Sequence, residues 1–243
     1  ATFFDCRVTF FRGKGDGTFL ATAVNDFIPE PRDVIPGDFD GDGYMDVASV
    51  GIDGTVALLE NINGRIMDYG EEEYRDALHF VPLEGGLGID ARDVRSTDLN
   101  QDGKTDLLVG TGSGLRVLFG RERLGAMRSE PAVPSADFPV SALAVADFDG
   151  NGTDDVVVGC RERGCISFFT MVQGVLQHAI TVDVPTAEIL ATGDVDGDGH
   201  ADLVGLGGET LWTALSSRPP RPADEVFELT KRPPLPKVVI NEI

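Results

Sequence analysis

The chain has 243 residues, of which 42% are hydrophobic, and its formal net charge is −21 at pH 7. That charge argues against nucleic acid or an anionic membrane surface as a partner, because both are bound through positive patches. The apolar content is too high for a disordered acidic tail, so we expect a folded chain, and 30 Gly and 14 Pro indicate frequent turns.

Four nine-residue windows align without gaps along the chain and recur at 60, 49 and 47 residues, counted between their first positions. They read DFDGDGYMD from Asp38, DLNQDGKTD from Asp98, DFDGNGTDD from Asp147 and DVDGDGHAD from Asp194. Self-similarity at such a period predicts stacked supersecondary units, each built around one copy of the window.

The spacing of oxygen atoms in each window is typical of a calcium loop. Side-chain oxygens stand at positions 1, 3 and 5, a Gly stands at position 6, and position 7 can offer its backbone carbonyl. An Asp at position 9 replaces the Glu at position 12 of an EF-hand, where this chain has Ser49, Val109, Val158 and Gly205. Asp-Gly and Asn-Gly also form ordinary turns, but four recurrences of the same oxygen pattern favour calcium over that alternative.

An all-oxygen set suits Ca²⁺ better than a transition metal, so we predict up to four Ca²⁺ sites. The candidate ligands are Asp38, Asp40, Asp42, Tyr44 and Asp46 in the first window; Asp98, Asn100, Asp102, Lys104 and Asp106 in the second; Asp147, Asp149, Asn151, Thr153 and Asp155 in the third; and Asp194, Asp196, Asp198, His200 and Asp202 in the fourth.

Short β-rich runs flank each window and predict strands rather than helices. A run follows each window directly, at 47–50, 107–109, 156–158 and 203–204, and a Gly then excludes a continuing helix. Each run turns and returns as a second strand, at 55–59, 115–119, 165–169 and 209–215. With a strand before each window, such as 141–146, and one more before the next repeat, every unit has about four strands, the size of a propeller blade.

The window between two short strands resembles the FG-GAP and VCBS repeats, which form the blades of the integrin α-subunit propeller and of many bacterial surface proteins. The resemblance covers residues 3–230 and implies an all-β, calcium-binding β-propeller with ligands at positions 1, 3, 5, 7 and 9. Residues 8–19 also resemble that family's hairpin between third and fourth strands. Asn100 and Asn151 each replace a carboxylate and Gln101 replaces a usual Gly, so we expect the second and third sites to bind calcium more weakly.

These patterns predict a propeller over residues 1–230, with a half blade at 3–27 and repeats near 28–60, 89–130, 138–180 and 185–230. Residues 231–243 are interpreted as a Pro-rich linker and the start of a possible following domain. The ring is either five-bladed, closed by a strand at 237–243 that pairs with the half blade, or part of a seven-bladed one.

Three further features have two interpretations each. Residues 61–88 are an inserted binding loop or, as we favour, a solvated connection. Cys160 and Cys165 are a cross-strand disulfide, slightly favoured, or two buried thiols. Trp212 is a core residue rather than a sugar platform.

Common catalytic motifs do not occur in the sequence, and the three histidines, His79, His178 and His200, are scattered along it. The resemblance implies adhesion or ligand binding more often than catalysis. We therefore expect a non-catalytic module of an extracellular or cell-surface protein that binds a protein or glycan or self-associates in a surface assembly. The alternatives are a lectin and the propeller domain of a larger polysaccharide-degrading enzyme.

Overall fold

The structure, a computed structural model, describes residues 8–25, 31–51, 55–65, 78–82, 91–131 and 139–216, and it is all-β. The one helical element among these residues is a short 3-10 turn at Leu124–Ala126. The strands are β1 Val8–Gly13, β2 Phe19–Asn25, β3 Pro31–Gly37, β4 Asp46–Gly51, β5 Thr55–Leu59, β6 Leu78–Pro82, β7 Ala91–Thr97, β8 Asp106–Thr111, β9 Gly114–Leu118, β10 Ser129–Pro131, β11 Ala142–Ala146, β12 Asp155–Cys160, β13 Cys165–Val172, β14 Val175–Asp183, β15 Ile189–Gly193, β16 Asp202–Gly207 and β17 Thr210–Ala214.

The strands form antiparallel sheets whose order follows the sequence. The first sheet is β3-β4-β5-β6, the second β7-β8-β9-β10, the third β11-β12-β13-β14, and the fourth, within the described residues, β15-β16-β17. β1 and β2 form a separate N-terminal hairpin. The strands predicted on either side of each window are confirmed, as is the hairpin expected near residues 8–19.

Sheets that follow one another in sequence pack face to face and enclose three apolar cores. Val156 and Val158 of β12 point into the core shared with the second sheet, whereas Val157 points into the core shared with the fourth. Because both faces of the middle strands are covered, β4, β8 and β12 are buried along their whole length. This explains why they are near-continuous apolar runs rather than alternating ones.

The first strands of the four sheets, β3, β7, β11 and β15, contact one another in turn. Four-stranded antiparallel sheets stacked in this way, with their first strands innermost, are propeller-like.

The far face of the fourth sheet remains exposed. Ile189 lies opposite Leu206, which lies opposite Leu211, so the three side chains form an apolar row across the sheet. Leu211 is 43% exposed, whereas the residues at its place in the other three sheets, Val56, Leu115 and Ile166, are all buried. The fourth sheet therefore keeps the packing surface of the other sheets without a described neighbour against it.

Two interpretations of the sequence need correction. Part of the segment 61–88 is structural, since Leu78–Pro82 is β6 and pairs with β5 as the fourth strand of the first sheet. Residues 66–77 and 83–90 of that segment lie outside the described residues, as do Cys6, the Pro-rich segment and the closing strand at 237–243.

The disulfide is the second correction. Cys160 and Cys165 face each other directly across β12 and β13, yet both are free thiols. Both belong to the apolar core between the second and third sheets, where a reduced thiol packs as a small apolar group without a covalent bond. The core position of Trp212 is confirmed, because the side chain is buried and its indole N–H donates to the Thr186 carbonyl at 2.8 Å.

No helix in the described ranges is both long enough and apolar enough to cross a bilayer.

Candidate functional site: four acidic loops

Each window connects the first strand of a sheet to its second strand, and we call the windows loops 1 to 4: residues 38–46, 98–106, 147–155 and 194–202. Position 1 directly follows the first strand and position 9 is the first residue of the second strand in every case. Since the sheets share one strand order, the four loops lie at the same end of their sheets. Loops 1 and 2 touch, because the Thr105 N–H donates to the Asp38 carbonyl at 2.8 Å.

The aspartate at position 1 wraps the loop around its own carboxylate. In loop 1, Asp38 Oδ1 accepts the N–H of Gly41 at 2.8 Å and that of Asp42 at 3.1 Å, while Oδ2 accepts the N–H of Gly43 at 3.0 Å. Asp147 and Asp194 repeat all three bonds, and Asp98 makes the last two. These bonds direct the backbone around one carboxylate, as in a loop built to enclose a cation.

Positions 3 and 5 each accept the N–H of the residue two places further on. Asp40 Oδ1 accepts from Asp42 at 3.1 Å, and Asp42 Oδ1 accepts from Tyr44 at 2.8 Å. Where an Asn replaces the Asp, its amide oxygen makes the same bond, at 3.0 Å for Asn100 and 2.7 Å for Asn151. The two Asn residues therefore keep the loop geometry and lose only charge.

Two positions of each loop have left-handed backbone. The Gly at position 6 has φ between 84° and 90° in all four loops, which confirms the predicted need for Gly there. Position 4 is also left-handed, with φ between 72° and 79° at the three Gly residues and 58° at Gln101. A side chain in this region costs about 1–3 kcal/mol unless its surroundings compensate.

The aspartate at position 9 is buried in every loop and joins the loop to a distant part of its sheet. One oxygen accepts the backbone N–H of position 2, as Asp46 does from Phe39 at 3.1 Å. The other accepts an N–H from beyond the next strand, as Asp46 does from Asn61 at 2.8 Å. Asp106 and Asp202 repeat both bonds, the second with Gly120 and Ser216 as donors.

Asp155 departs from this arrangement. Its Oδ2 accepts the Phe148 N–H at 3.2 Å, but its buried Oδ1 accepts no backbone N–H. The side chain of Thr170 partly lowers the pKa of Asp155 and so favours its ionised form. A buried carboxylate oxygen without a backbone donor, on a side chain that belongs to a cluster of carboxylates, is the kind of atom that a bound cation satisfies.

Burial of these carboxylates perturbs their protonation. Desolvation raises the pKa of Asp46 and of Asp155 from 3.8 to about 7, and that of Asp106 to about 6. Backbone N–H donors lower these pKa values in part, and other carboxylates of the same loop raise them. Partial burial, together with neighbouring carboxylates, also raises the pKa of Asp40. A bound divalent cation would offset this desolvation and repulsion and favour the ionised forms.

The structure brings the predicted carboxylates together in three of the loops. One oxygen from each member of a trio lies within 4.8 Å of the others. The trios are Asp38, Asp40 and Asp42; Asp147, Asp149 and Asp155; and Asp194, Asp196 and Asp202. In loop 2 position 3 is Asn100, so its carboxylates are Asp98, Asp102 and Asp106 alone. An all-oxygen set of this density fits a hard cation such as Ca²⁺.

Sequence reasoning missed several residues that shape these loops. The amide donors at Asn61, Gly120 and Ser216 carry no sequence signal, because a backbone N–H is common to all residues except Pro. Thr97 and Asp154 also lie at a junction between loops, where the Thr97 hydroxyl donates to the Asp154 carboxylate.

Two of the three histidines lie away from the loops. His79 of β6 contacts the Glu60 carboxylate at 3.3 Å, and His178 of β14 contacts the Thr181 hydroxyl at 2.8 Å. His200 is position 7 of loop 4, where its N–H donates to Asp198.

The FG-GAP-like repeat is the family whose sequence model matches this chain, at residues 2–49 and 98–158. The matched segments contain the whole of loops 1, 2 and 3 and the N-terminal hairpin. These two segments therefore match the FG-GAP-like repeat, which supports the resemblance predicted from the sequence.

Solved structures with a similar fold include a lectin from Agrocybe aegerita that recognises non-reducing terminal N-acetylglucosamine, with a TM-score of 0.53, 18% identity, and coverage of 85% of this chain and 57% of the lectin. Saccharomyces cerevisiae Sqt1 matches with a TM-score of 0.55, 12% identity, and coverage of 88% of this chain and 54% of Sqt1. A rhamnogalacturonan lyase from Bacillus licheniformis matches at 0.49 with 16% identity, over 75% of this chain and 40% of the lyase. At these identities the likeness to the lectin and to Sqt1 extends to fold alone, and this chain spans little more than half of either protein.

Proposed function

We propose that this chain, with its FG-GAP-like repeats, is a calcium-binding, non-catalytic β-propeller module that binds a protein or glycan ligand or serves as a scaffold in a surface assembly. Its proposed location is extracellular or at the cell surface. In this proposal each ion joins the first two strands of a blade, cancels the repulsion between the loop carboxylates and fixes the loop that lies at the surface of the propeller.

The observation that carries the calcium proposal is the recurrence of one oxygen geometry in separate sheets. Three of the loops bring three carboxylate oxygens within 4.8 Å of one another, and in two of these trios the buried aspartate of position 9 takes part. Turn formation alone does not explain the buried carboxylate, because a turn needs no anion inside the sheet.

Charge and fold support the proposed location and role. Modules outside the cell typically bind Ca²⁺ with dissociation constants of about 10⁻⁴–10⁻³ M, a range that loops with an Asn in place of an Asp are suited to. The net charge of −21 disfavours nucleic acid as a partner. The carboxylates that cluster in the loops are engaged by backbone N–H groups, which supports a binding role over acid–base catalysis.

Thermal unfolding in calcium and in chelator tests the proposal. Each site at tenfold excess over its dissociation constant adds about 1.4 kcal/mol to the free energy of unfolding, so calcium raises the melting temperature clearly. Magnesium is the matched control, because it requires a tighter octahedral shell and dehydrates reluctantly. Equal melting temperatures in millimolar calcium and in excess chelator would contradict calcium binding.

A lectin activity is the second candidate, and the fold shared with the N-acetylglucosamine-binding lectin favours it. The probe is a glycan array with N-acetylglucosamine-terminated glycans, read in calcium and in chelator. Binding that depends on calcium supports a lectin. If no glycan on the array binds, a protein ligand is the better proposal. Cleavage of acidic polysaccharides by the chain would instead support the enzyme alternative and contradict a non-catalytic module.

A further inference from the structure

Three departures from the repeat pattern meet at one junction, that between loops 2 and 3. Each is a residue with a hydrogen-bonding side chain at a place where the other repeats have mostly small or apolar residues. The residues at the equivalent positions are Gly37, Ala146 and Gly193 for Thr97; Gly41, Gly150 and Gly197 for Gln101; and Met45, Thr105 and Ala201 for Asp154.

All three departures take part in bonds between the two loops. The Gln101 side-chain amide donates to the Gly152 carbonyl at 2.7 Å. The Thr97 hydroxyl, immediately before loop 2, donates to the Asp154 carboxylate. The two acceptors belong to the residues on either side of Thr153, whose carbonyl is the predicted ligand at position 7 of loop 3.

The Gln101 bond acts on a peptide group that is itself bonded to a predicted ligand of loop 3. The carbonyl of the Gly152–Thr153 peptide accepts the Gln101 amide, and the N–H of the same peptide donates to Asn151 Oδ1 at 2.7 Å. The orientation of this peptide therefore sets the position of the Asn151 oxygen. It also helps to set that of the Thr153 carbonyl, so a side chain of loop 2 positions two predicted ligands of loop 3.

The backbone of Gln101 indicates that this contact offsets a local cost. Its φ of 58° lies in the left-handed region, which the Gly residues at the same position of the other loops adopt without strain. A Gly would therefore suit the loop itself better, and the bond to loop 3 is what the Gln side chain adds.

We propose that Thr97 and Gln101 couple loops 2 and 3, so that calcium in one loop favours calcium in the other. The proposal rests on the calcium binding proposed above. An ion in loop 2 orders Asp98, Asn100 and Asp102 and with them the two donors, which then hold residues 152–154 in the ion-binding arrangement. By thermodynamic linkage the effect is reciprocal. These are the two loops in which an Asn replaces a ligand carboxylate, so coupling offsets weak binding at each.

The test is a Ca²⁺ titration of the native chain and of the double variant T97V/Q101G, followed by the backbone amide resonances of the position-6 glycines. Each of these N–H groups donates to the position-1 carboxylate of its own loop, as Gly103 does to Asp98 and Gly152 to Asp147, both at 2.8 Å. Each resonance is therefore a reporter for one site, and Gly199 of loop 4 serves as the internal control.

In the native chain we expect the Gly103 and Gly152 titrations to coincide, with Hill coefficients above one. In T97V/Q101G they should separate, with Hill coefficients near one and at least a fivefold weaker apparent affinity at Gly152, the lower end of typical coupling factors of about 5–150. The apparent Ca²⁺ affinity reported by Gly199 should be the same in the variant as in the native chain. T97S keeps the hydroxyl and should retain the coupling, whereas Q101N tolerates the left-handed backbone but is too short to reach Gly152 and should lose it.

Two results would overturn the coupling, and they are distinguishable. A Gly152 titration in T97V/Q101G that superimposes on the native one refutes the coupling and leaves calcium binding intact. If no position-6 glycine of the native chain responds to millimolar Ca²⁺, both the coupling and the proposed function are wrong. Unchanged strand resonances in the metal-free variants verify that the fold is retained.

Discussion

Position 9 of each loop has a structural task that positions 3 and 5 do not share. Asp106 is fully buried, and its two oxygens accept the N–H of Leu99 at 2.9 Å and that of Gly120 at 2.8 Å. Asp102 is exposed, and its two oxygens accept the Lys104 N–H at 3.0 Å and the Asn100 side-chain amide at 3.3 Å, both within the same loop. Asp106 therefore joins the loop to the chain beyond β9 with or without an ion, whereas the hydrogen bonds of Asp102 stay within the loop where the ion is proposed to bind.

Replacing each of these two aspartates by asparagine separates the two tasks. D106N places an amide N–H₂ against a backbone N–H donor and should lower the free energy of unfolding by about 1–3 kcal/mol even in chelator. D102N keeps an acceptor for Lys104, so its melting temperature in chelator should match that of the native chain. The rise in melting temperature on adding calcium should be smaller than in the native chain, because one ligand carboxylate is lost. Thermal unfolding of both variants with and without calcium checks this, and equal losses in chelator would refute the distinction.

The raised pKa values predict an unusual pH dependence of the metal-free protein. The pKa of Asp46 is about 7 and that of Asp106 about 6 in the folded chain, against an ordinary value of 3.8. Between these values the folded chain holds more protons than the unfolded chain, so the free energy of unfolding falls as pH rises. That loss is spread from about pH 4 to about pH 7, and calcium should remove it by stabilising the ionised carboxylates.

Melting temperatures in metal-free buffer between about pH 5.5 and about pH 8 measure this effect. We expect the melting temperature to fall towards the higher pH without calcium, and the stabilisation by calcium to grow over the same range. A metal-free melting temperature that rises with pH would contradict the assignment of buried, proton-holding carboxylates.

At the scale of the strand, β16 and β17 show how closely one side chain can determine a neighbouring residue. Gly205 of β16 lies opposite Trp212 of β17. A Cβ atom at Gly205 would lie 2.1 Å from the nearest ring atom of Trp212. The buried indole therefore occupies the space that any other residue at position 205 would need.

G205A should consequently destabilise the fourth sheet by about 1–3 kcal/mol or more, because the indole must leave its site. The matched control is G193A in β15, where a Cβ would meet no atom within 4 Å and φ is not left-handed. Urea unfolding of both variants gives the comparison, and a G205A chain as stable as G193A would show that the indole does not pack as described.

How far the sequence predicts these elements depends on where the interactions arise. The strands beside the loops are predictable, because runs of Val and Leu bounded by Gly and by the loops favour short strands over helices. A fourth strand in each unit is expected from the repeat, but its place at Leu78–Pro82 is not, because β6 becomes a strand by pairing with β5 across a long connection. The close approach of Gly205 to Trp212 and the amide bonds to Asp46 and Asp106 depend on register, which local sequence does not contain.

At the scale of the whole molecule, three apolar cores join four sheets, and the last sheet presents the same kind of face without a described neighbour. Leu115 and Leu211 occupy equivalent places, opposite Gly110 and Leu206 respectively. Leu115 is 3% exposed and Leu211 is 43% exposed. The two leucines therefore differ in packing although their positions in the repeat are the same.

L115A should cost about 2–5 kcal/mol, as expected for a buried leucine, and L211A should cost clearly less. The two free energies of unfolding, measured under the same conditions, provide the comparison. Equal losses would mean that another part of the protein covers the fourth sheet and that its far face is an internal interface.

The proposed function depends most on whether the four loops hold ions. Long-wavelength anomalous diffraction from crystals grown in millimolar calcium tests this directly, since it distinguishes calcium from water at each loop. We predict an anomalous peak inside each loop at about 2.3–2.6 Å from the oxygens of positions 1, 3 and 5. Loops that contain only water under these conditions would contradict the central proposal.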